Sequence, residues 1–215
     1  MKVLCIADIH GSAEEEKLKN LKALKPDLIL VAGDITNFGG RKSAEKIINS
    51  LFTISSRIYA VPGNCDTPEV LQFLEERGMA LHGKSTTIGA VGIFGAGGSP
   101  RTPFATPFEL SEEEISHLLQ KGYEEIRGAG VKILLSHSPP FGILDRTSAG
   151  VHAGSMAVRK FIEEREIDYV ICGHIHEASG AVRFNDTVVI NTGKFSQGCY
   201  LLHLQKREIE RITFR

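Results

Sequence analysis

Short apolar runs alternate with charged, helically periodic segments from the first residues onward. Residues 3–7 are almost wholly apolar, as expected of a strand covered on both faces, and the run ends in Asp8-Ile9-His10-Gly11. A charged helix is predicted next, with Ser12 as its N-cap, Glu15 completing a capping box and an end near Lys25-Pro26. The unit then repeats. Residues 27–32 are strand-like and end in Gly33-Asp34, residues 43–52 are helical, and residues 57–61 are strand-like and end in Pro62-Gly63-Asn64-Cys65-Asp66. Thr67 is expected to cap a helix that starts with Pro68 and runs to about residue 77.

From residue 79 to 98 the pattern changes to β-branched pieces broken by glycine, which predicts antiparallel hairpin strands. Residues 95–107, rich in Gly, Pro and Thr, read as a loop, a candidate rim of a site by its place after a strand, with a solvated connection as the commoner meaning of such composition. A helix with acidic residues in its first turn follows, to about residue 127. Residues 131–135 form another buried strand, ending in Ser136-His137-Ser138-Pro139-Pro140. After a loop over residues 141–154 comes a helix over 155–165. Residues 168–172 then form a strand that delivers Gly173-His174-Ile175-His176, whose glycine frees the backbone so that the two imidazoles need not point the same way. Residues 180–215 alternate apolar and polar between turn residues and are predicted as a β-meander without a helix.

Strand and helix alternation with short turns implies parallel βαβ units, whose ligands gather at the carboxyl ends of the strands. Every polar cluster just named lies at such an end.

Composition narrows the classes. The 215 residues suit one domain with a substantial core, and a net charge of -1 with interleaved signs gives no field suited to nucleic acid or a membrane surface. The four cysteines are widely spaced, no apolar run nears membrane-spanning length, and Asp8 arrives too early for a signal-peptide core. A cytoplasmic protein with reduced thiols is expected.

The strand ends collect Asp8, His10, Asp34, Asn64, His137, His174 and His176. Carboxylate, amide and imidazole donors suit borderline or hard divalent ions, with Mn²⁺ placed first and Fe²⁺, Zn²⁺, Co²⁺ or Ni²⁺ as alternatives. Seven donors exceed one open site; shared between two ions through a bridging carboxylate they fit a binuclear centre with metals ~3.5 to 4 Å apart. Two such ions make a locally positive pocket in a near-neutral chain, and a small phosphate ester is the natural anion for it.

The ordered blocks Asp8-Ile9-His10, Gly33-Asp34, Gly63-Asn64-Cys65-Asp66, His137 and Gly173-His174-Ile175-His176 resemble those of the calcineurin-like metallophosphoesterase superfamily over nearly the whole chain. The resemblance implies an α/β fold, a four-layer α/β/β/α sandwich with two mixed β-sheets. It also implies a first ion on Asp8, His10, Asp34 and His176, a second on Asp34, Asn64, His137 and His174, and hydrolysis by a metal-bridging hydroxide. Many members carry histidine where this chain has Cys65; that histidine, oriented by the next acidic residue, protonates the leaving group. Similar Gly-Asn-Cys-Asp blocks occur in a small prokaryotic branch associated with phosphodiesterase activity. Asn64, Cys65 and Asp66 are accordingly candidate catalytic residues, and a phosphodiesterase is the leading expectation. A protein serine/threonine or nucleotide phosphomonoesterase is the alternative on the same scaffold, and a non-catalytic scaffold protein is the alternative of another class. His152, between glycines and ahead of a helix whose N-terminus can face an anion, is a candidate substrate-pocket residue. His117 and His203 read as surface or structural.

Overall fold

A computed structural model describes residues 1–214. The elements are β1 (Lys2–Ile6), α1 (Glu15–Ala23), β2 (Leu28–Ala32), α2 (Arg41–Leu51), β3 (Ile58–Val61), α3 (Pro68–Glu76), β4 (Ser85–Ile88), β5 (Val91–Ala96), α4 (Glu112–Ile126), β6 (Val131–Ser136), α5 (Met156–Glu164), β7 (Tyr169–Cys172), β8 (Gly180–Phe184), β9 (Thr187–Asn191), β10 (Gly198–His203) and β11 (Glu208–Thr213). They form a five-stranded sheet in the order β11-β10-β1-β2-β3 and a six-stranded sheet in the order β4-β5-β6-β7-β9-β8.

Both sheets are mixed. β1, β2 and β3 are parallel with β10 and β11 antiparallel at one side; β5, β6, β7 and β9 are parallel, bordered by antiparallel β4 and β8. Alternation along β1 explains the layering. Leu4 and Ile6 pack with Leu21, Ile48 and Phe73 of the helices, whereas Val3 and Cys5 pack with Ile133 and Ile171 of the other sheet. A third cluster joins Leu134 and Val170 to Leu119, Tyr123 and Phe161 of α4 and α5. The layers are therefore helix, sheet, sheet, helix, the four-layer sandwich expected. Strands buried on both faces are apolar at nearly every position, which is why these runs stand out in the sequence.

Several local expectations are corrected. α1 begins at Glu15 without a side-chain cap, so Ser12 and Glu15 form no capping box. The turn before it is committed elsewhere: His10 N and Gly11 N donate to the carbonyls of Asp34 and Ile35, and the helix starts only once the chain is clear of them. Thr67 occupies the N-cap position of α3, but its hydroxyl makes no cap bond and reaches Gly39 O at 3.4 Å instead. The segment read as one meander, apart from Arg215, which lies outside the described residues, is two hairpins in different sheets: β9 joins β7 in parallel, and β10 crosses to pair with β1. A short 3₁₀ turn over Phe195–Gln197 makes that crossing. Among the described residues no helix is long and apolar enough to cross a membrane.

Candidate metal centre

Loops from both sheets meet at one edge. Asp8 and His10 follow β1, Asp34 follows β2, Asn64 follows β3, His137 follows β6, and His174 and His176 follow β7. Main-chain bonds stitch these loops together: Asp8 N donates to Gly33 O at 3.1 Å, His10 N to Asp34 O at 2.9 Å and Gly173 N to His137 O at 3.0 Å. The sheets are tied across by His174 N to Asp8 Oδ2 at 3.0 Å and by His137 Nδ1 at 2.8 Å from Ala32 O.

All seven predicted donors converge. His176 Nε2 lies 3.3 Å from Asp8 Oδ1 and 3.3 Å from His10 Nε2, which is 3.7 Å from Asp34 Oδ2. On the other side, Asp34 Oδ1 is 3.6 Å from His137 Nε2, which stands 2.9 Å from Asn64 Oδ1. The His174 ring centroid is 5.0 Å from that of His137. The two oxygens of one buried carboxylate, Asp34, thus face two different groups of donors.

The backbone is strained at these positions. Asp8, His10, Asp34 and His174 all take positive φ, at 52°, 50°, 49° and 67°, a region costing roughly 1–3 kcal/mol for a residue with a side chain. In the last motif it is His174, not the preceding glycine, that turns left-handed. Gly173 is needed for space instead: a Cβ there would lie 2.4 Å from Asp8 Oδ2, and one on Gly63 would lie 2.0 Å from Asp34 Oδ1.

The chemistry of the set fits divalent cations. His137 Nδ1 must donate to Ala32 O, because a carbonyl only accepts, and so Nε2 is the nitrogen left to face Asn64 Oδ1 and Asp34 Oδ1. Lone pairs converge there around a space that suits a proton or a cation. Burial, reinforced by His137, brings the His174 imidazole down to about 3, and burial lowers His10 despite the nearby Asp34 and Asp8. Both rings are therefore held in the neutral, ligating form. Burial alone would raise Asp34, but His137, the Cys65 N–H at 2.8 Å and His10 hold its carboxyl below the usual range. His176 is raised, chiefly by its bond to Asp8.

The model of calcineurin-like phosphoesterases matches residues 1–178. The chain belongs to this family. As a calcineurin-like phosphoesterase it is a metal-dependent phosphoester hydrolase, and the family implies a dinuclear divalent centre, for which the clusters above are the candidate ligands. An uncharacterised protein of Methanocaldococcus jannaschii is 35% identical over 208 residues, 93% of this chain and 91% of that protein. A probable cyclic nucleotide phosphodiesterase of Synechococcus is 24% identical over 161 residues, 74% of this chain and 61% of that protein. The crystal structure of a dimetal phosphatase from Danio rerio shares the fold, with a TM-score of 0.64 at 11% identity over 100% of this chain and 99% of that one.

Within this phosphoesterase, the block after β3 departs from expectation. The Asp66 carboxylate is fully buried and accepts from Ile35 N, Thr36 N, Thr36 Oγ1 and Gly63 N at 2.8–3.1 Å, which binds the Asp34 and Asn64 loops together. Its oxygens are spent on the fold rather than on orienting a neighbour at the leaving group. Burial and then the Asp34 carboxylate push its pKa up to about 6, against the bonds from Gly63 and Thr36. Cys65 Sγ comes within 4.8 Å of ligand atoms of His10 and Asp34, a closeness that spacing alone does not reveal. Burial, then Asp34, Asp66 and Asp8, push its thiol well above the usual range, so it is protonated at neutral pH.

His152 is placed differently from the strand-end blocks. Its Nδ1 sits 2.6 Å from Oδ1 of the buried Asp145, beside the Phe141 ring. The N-terminus of α5 is not free for a substrate anion: Glu112 fills it, accepting from Ser155 Oγ, Met156 N and Ala157 N at 2.6–2.9 Å. The loop after β5 does border the centre, since Phe108 N donates to Asn64 O at 3.1 Å and Asn64 Nδ2 to Thr106 Oγ1 at 3.1 Å. Thr106 and Glu109 escaped the sequence reading; nothing in a Gly-, Pro- and Thr-rich loop marks the one threonine that meets Asn64.

Proposed function

We propose that this protein is a binuclear phosphodiesterase for a small substrate, with Asp8, His10, Asp34 and His176 holding one divalent ion and Asp34, Asn64, His137 and His174 the other, Mn²⁺ being the first choice. When bound, such a pair of ions acidifies a coordinated water toward neutral pH and offsets charge developing on the phosphoryl oxygens. The chain's own part is to fix the donors. The Ala32 carbonyl selects the His137 tautomer, burial keeps His174 and His10 neutral, and Asp34 presents one oxygen to each group of donors.

The observation that carries the diester reading is the absence of an imidazole acid in the Cys65 block, with Asp66 committed to the backbone. A protonated thiol is a weak hydrogen-bond donor, so help to a poor leaving alcohol is small, and esters with better leaving groups are favoured. The likeness to the probable cyclic nucleotide phosphodiesterase of Synechococcus supports the same choice. His152, held by Asp145 on the loop that follows the His137 motif, is proposed as a substrate-side residue that reaches the ester from the rim.

Stripping the protein with chelator and assaying aryl phosphodiesters and monoesters with added Mn²⁺ tests this reading. Metal-dependent turnover is expected, faster on the diester; no uptake and no turnover on either ester would favour the scaffold alternative, and preference for the monoester the phosphatase one.

A further inference from the structure

We infer that Thr106 and Glu109 are positioning residues that fix which way round the Asn64 side-chain amide stands, and so present its oxygen rather than its nitrogen to the second ion. The inference rests on the two-ion reading above.

Donor and acceptor roles decide the orientation. Glu109 Oε1 accepts from Thr102 Oγ1 at 2.6 Å, Thr106 Oγ1 at 2.7 Å and Thr106 N at 2.8 Å. Desolvation alone would raise the Glu109 carboxyl, but these bonds outweigh it and bring its pKa down to about 2, so it only accepts. A hydroxyl has one hydrogen. Thr106 donates it to Glu109, and only lone pairs remain on the side that meets Asn64 3.1 Å away. The part of Asn64 that faces Thr106 must therefore be its NH₂ group. Oδ1 is then turned to the opposite side, where it lies 2.9 Å from His137 Nε2.

The other group within reach of the same nitrogen is Cys65 Sγ, at 3.6 Å and a weak acceptor. With its one hydrogen on Nδ1 and given to Ala32 O, the His137 ring offers a lone pair at Nε2 and by itself would draw the NH₂ end of the amide, so the acceptor at Thr106 is what opposes the reversed orientation. Asn64 is only 5% exposed, which leaves little room for water to substitute. The loop is held in place independently, by Phe108 N to Asn64 O at 3.1 Å and Gly98 N to Pro62 O at 2.8 Å, so changes at Thr106 alter polarity without releasing the segment. In the reversed orientation an N–H would point at a cation and two acceptors would face each other at Thr106.

Four variants separate this from packing. Thr106→Val keeps the shape but removes the acceptor; Thr106→Ser retains it. Glu109→Ala frees the Thr106 hydrogen to point either way, while Glu109→Gln keeps an acceptor oxygen for that hydrogen, removes the charge and exchanges the other oxygen for an NH₂ group. Chelator-stripped proteins are titrated with Mn²⁺ by calorimetry, ions are counted by electron paramagnetic resonance, and the stripped proteins are melted in parallel. The wild type is expected to take two ions. Thr106→Val and Glu109→Ala should hold the first nearly unchanged and bind the second roughly 10-fold or more weakly, as losses of outer-shell partners do, with the stripped proteins still melting cooperatively, at a lower temperature for Glu109→Ala, which gives up three hydrogen bonds. Thr106→Ser and Glu109→Gln should behave as wild type. Wild-type-like uptake by Thr106→Val and Glu109→Ala, equal weakening of both ions, or failure of the two conservative variants overturns the inference. If Thr106→Val does not fold, Glu109→Ala carries the same expectation. A wild type that binds no second ion overturns the two-ion reading itself, a separate result.

Discussion

His10 Nε2 and His176 Nε2 stand 3.3 Å apart, the first backed by Asp34 and the second by Asp8. The two rings come from loops after strands of different sheets, so their meeting depends on the sandwich being closed. Replacing His176 with alanine should weaken the first ion by roughly 10²-fold or more, beyond the loss typical of an outer-shell partner, and leave the second in place. Ion counting across a Mn²⁺ titration checks this; equal loss of both ions would mean that the donors do not divide as proposed.

Cys65 stands where the family resemblance leads one to expect a histidine. Cys65→His should retain both ions and shift the ratio of diester to monoester hydrolysis toward the monoester, because general-acid help is worth ~10² to 10⁴-fold when correctly placed. The ratio of kcat/KM values on matched aryl esters is the measurement, and an unchanged ratio would count against this account of the thiol.

Close approach makes Gly63 sensitive in a way that most loop glycines are not. A Cβ there would stand 2.0 Å from Asp34 Oδ1, so Gly63→Ala should cost about 1–3 kcal/mol in urea unfolding and impair uptake of both ions. Gly128 has nothing within 4 Å of the same added atom, and Gly128→Ala should be neutral or stabilising by up to about 1 kcal/mol. Equal effects at the two sites would refute the steric argument.

His82 should make stability depend on pH. Its Nδ1 accepts from Gly97 N at 3.0 Å and must therefore be unprotonated; burial, which outweighs the nearby Glu75, brings its pKa down to about 4. Between the unfolded value near 6.5 and about 4, the unfolded chain takes up a proton that the folded chain refuses. This contribution is complete above about pH 6.5 and is lost as pH falls toward 4, by about 3 kcal/mol. Unfolding of stripped His82→Leu across that range should lack this part of the slope, on top of a pH-independent loss of about 1–3 kcal/mol for the unpaired Gly97 N–H. Parallel slopes for variant and wild type would disprove it.

Much of this architecture is legible in the sequence because doubly covered parallel strands are apolar nearly throughout. Runs such as residues 28–32 and 133–135 announce themselves, and the polar residues that end them mark the edge where ligands gather. What failed were readings that depended on a partner far along the chain. The Ser12 capping box was plausible locally, yet the turn before α1 bonds to the Asp34 loop. The α5 N-terminus looked open to substrate, yet Glu112 from α4 fills it.

By itself the sequence determined the strand order of the donors, their chemical kinds and the family pattern that joins them. Only the tertiary structure decided that Asp34 turns one oxygen to each side, that Asp66 is a brace between two loops and that Thr106 orients Asn64. These are matters of which atoms face one another across loops and sheets. Hydrophobic periodicity specifies which side of an element is buried, whereas the direction of a side-chain hydrogen bond is set by whichever partner the closed fold brings within 3 Å or so.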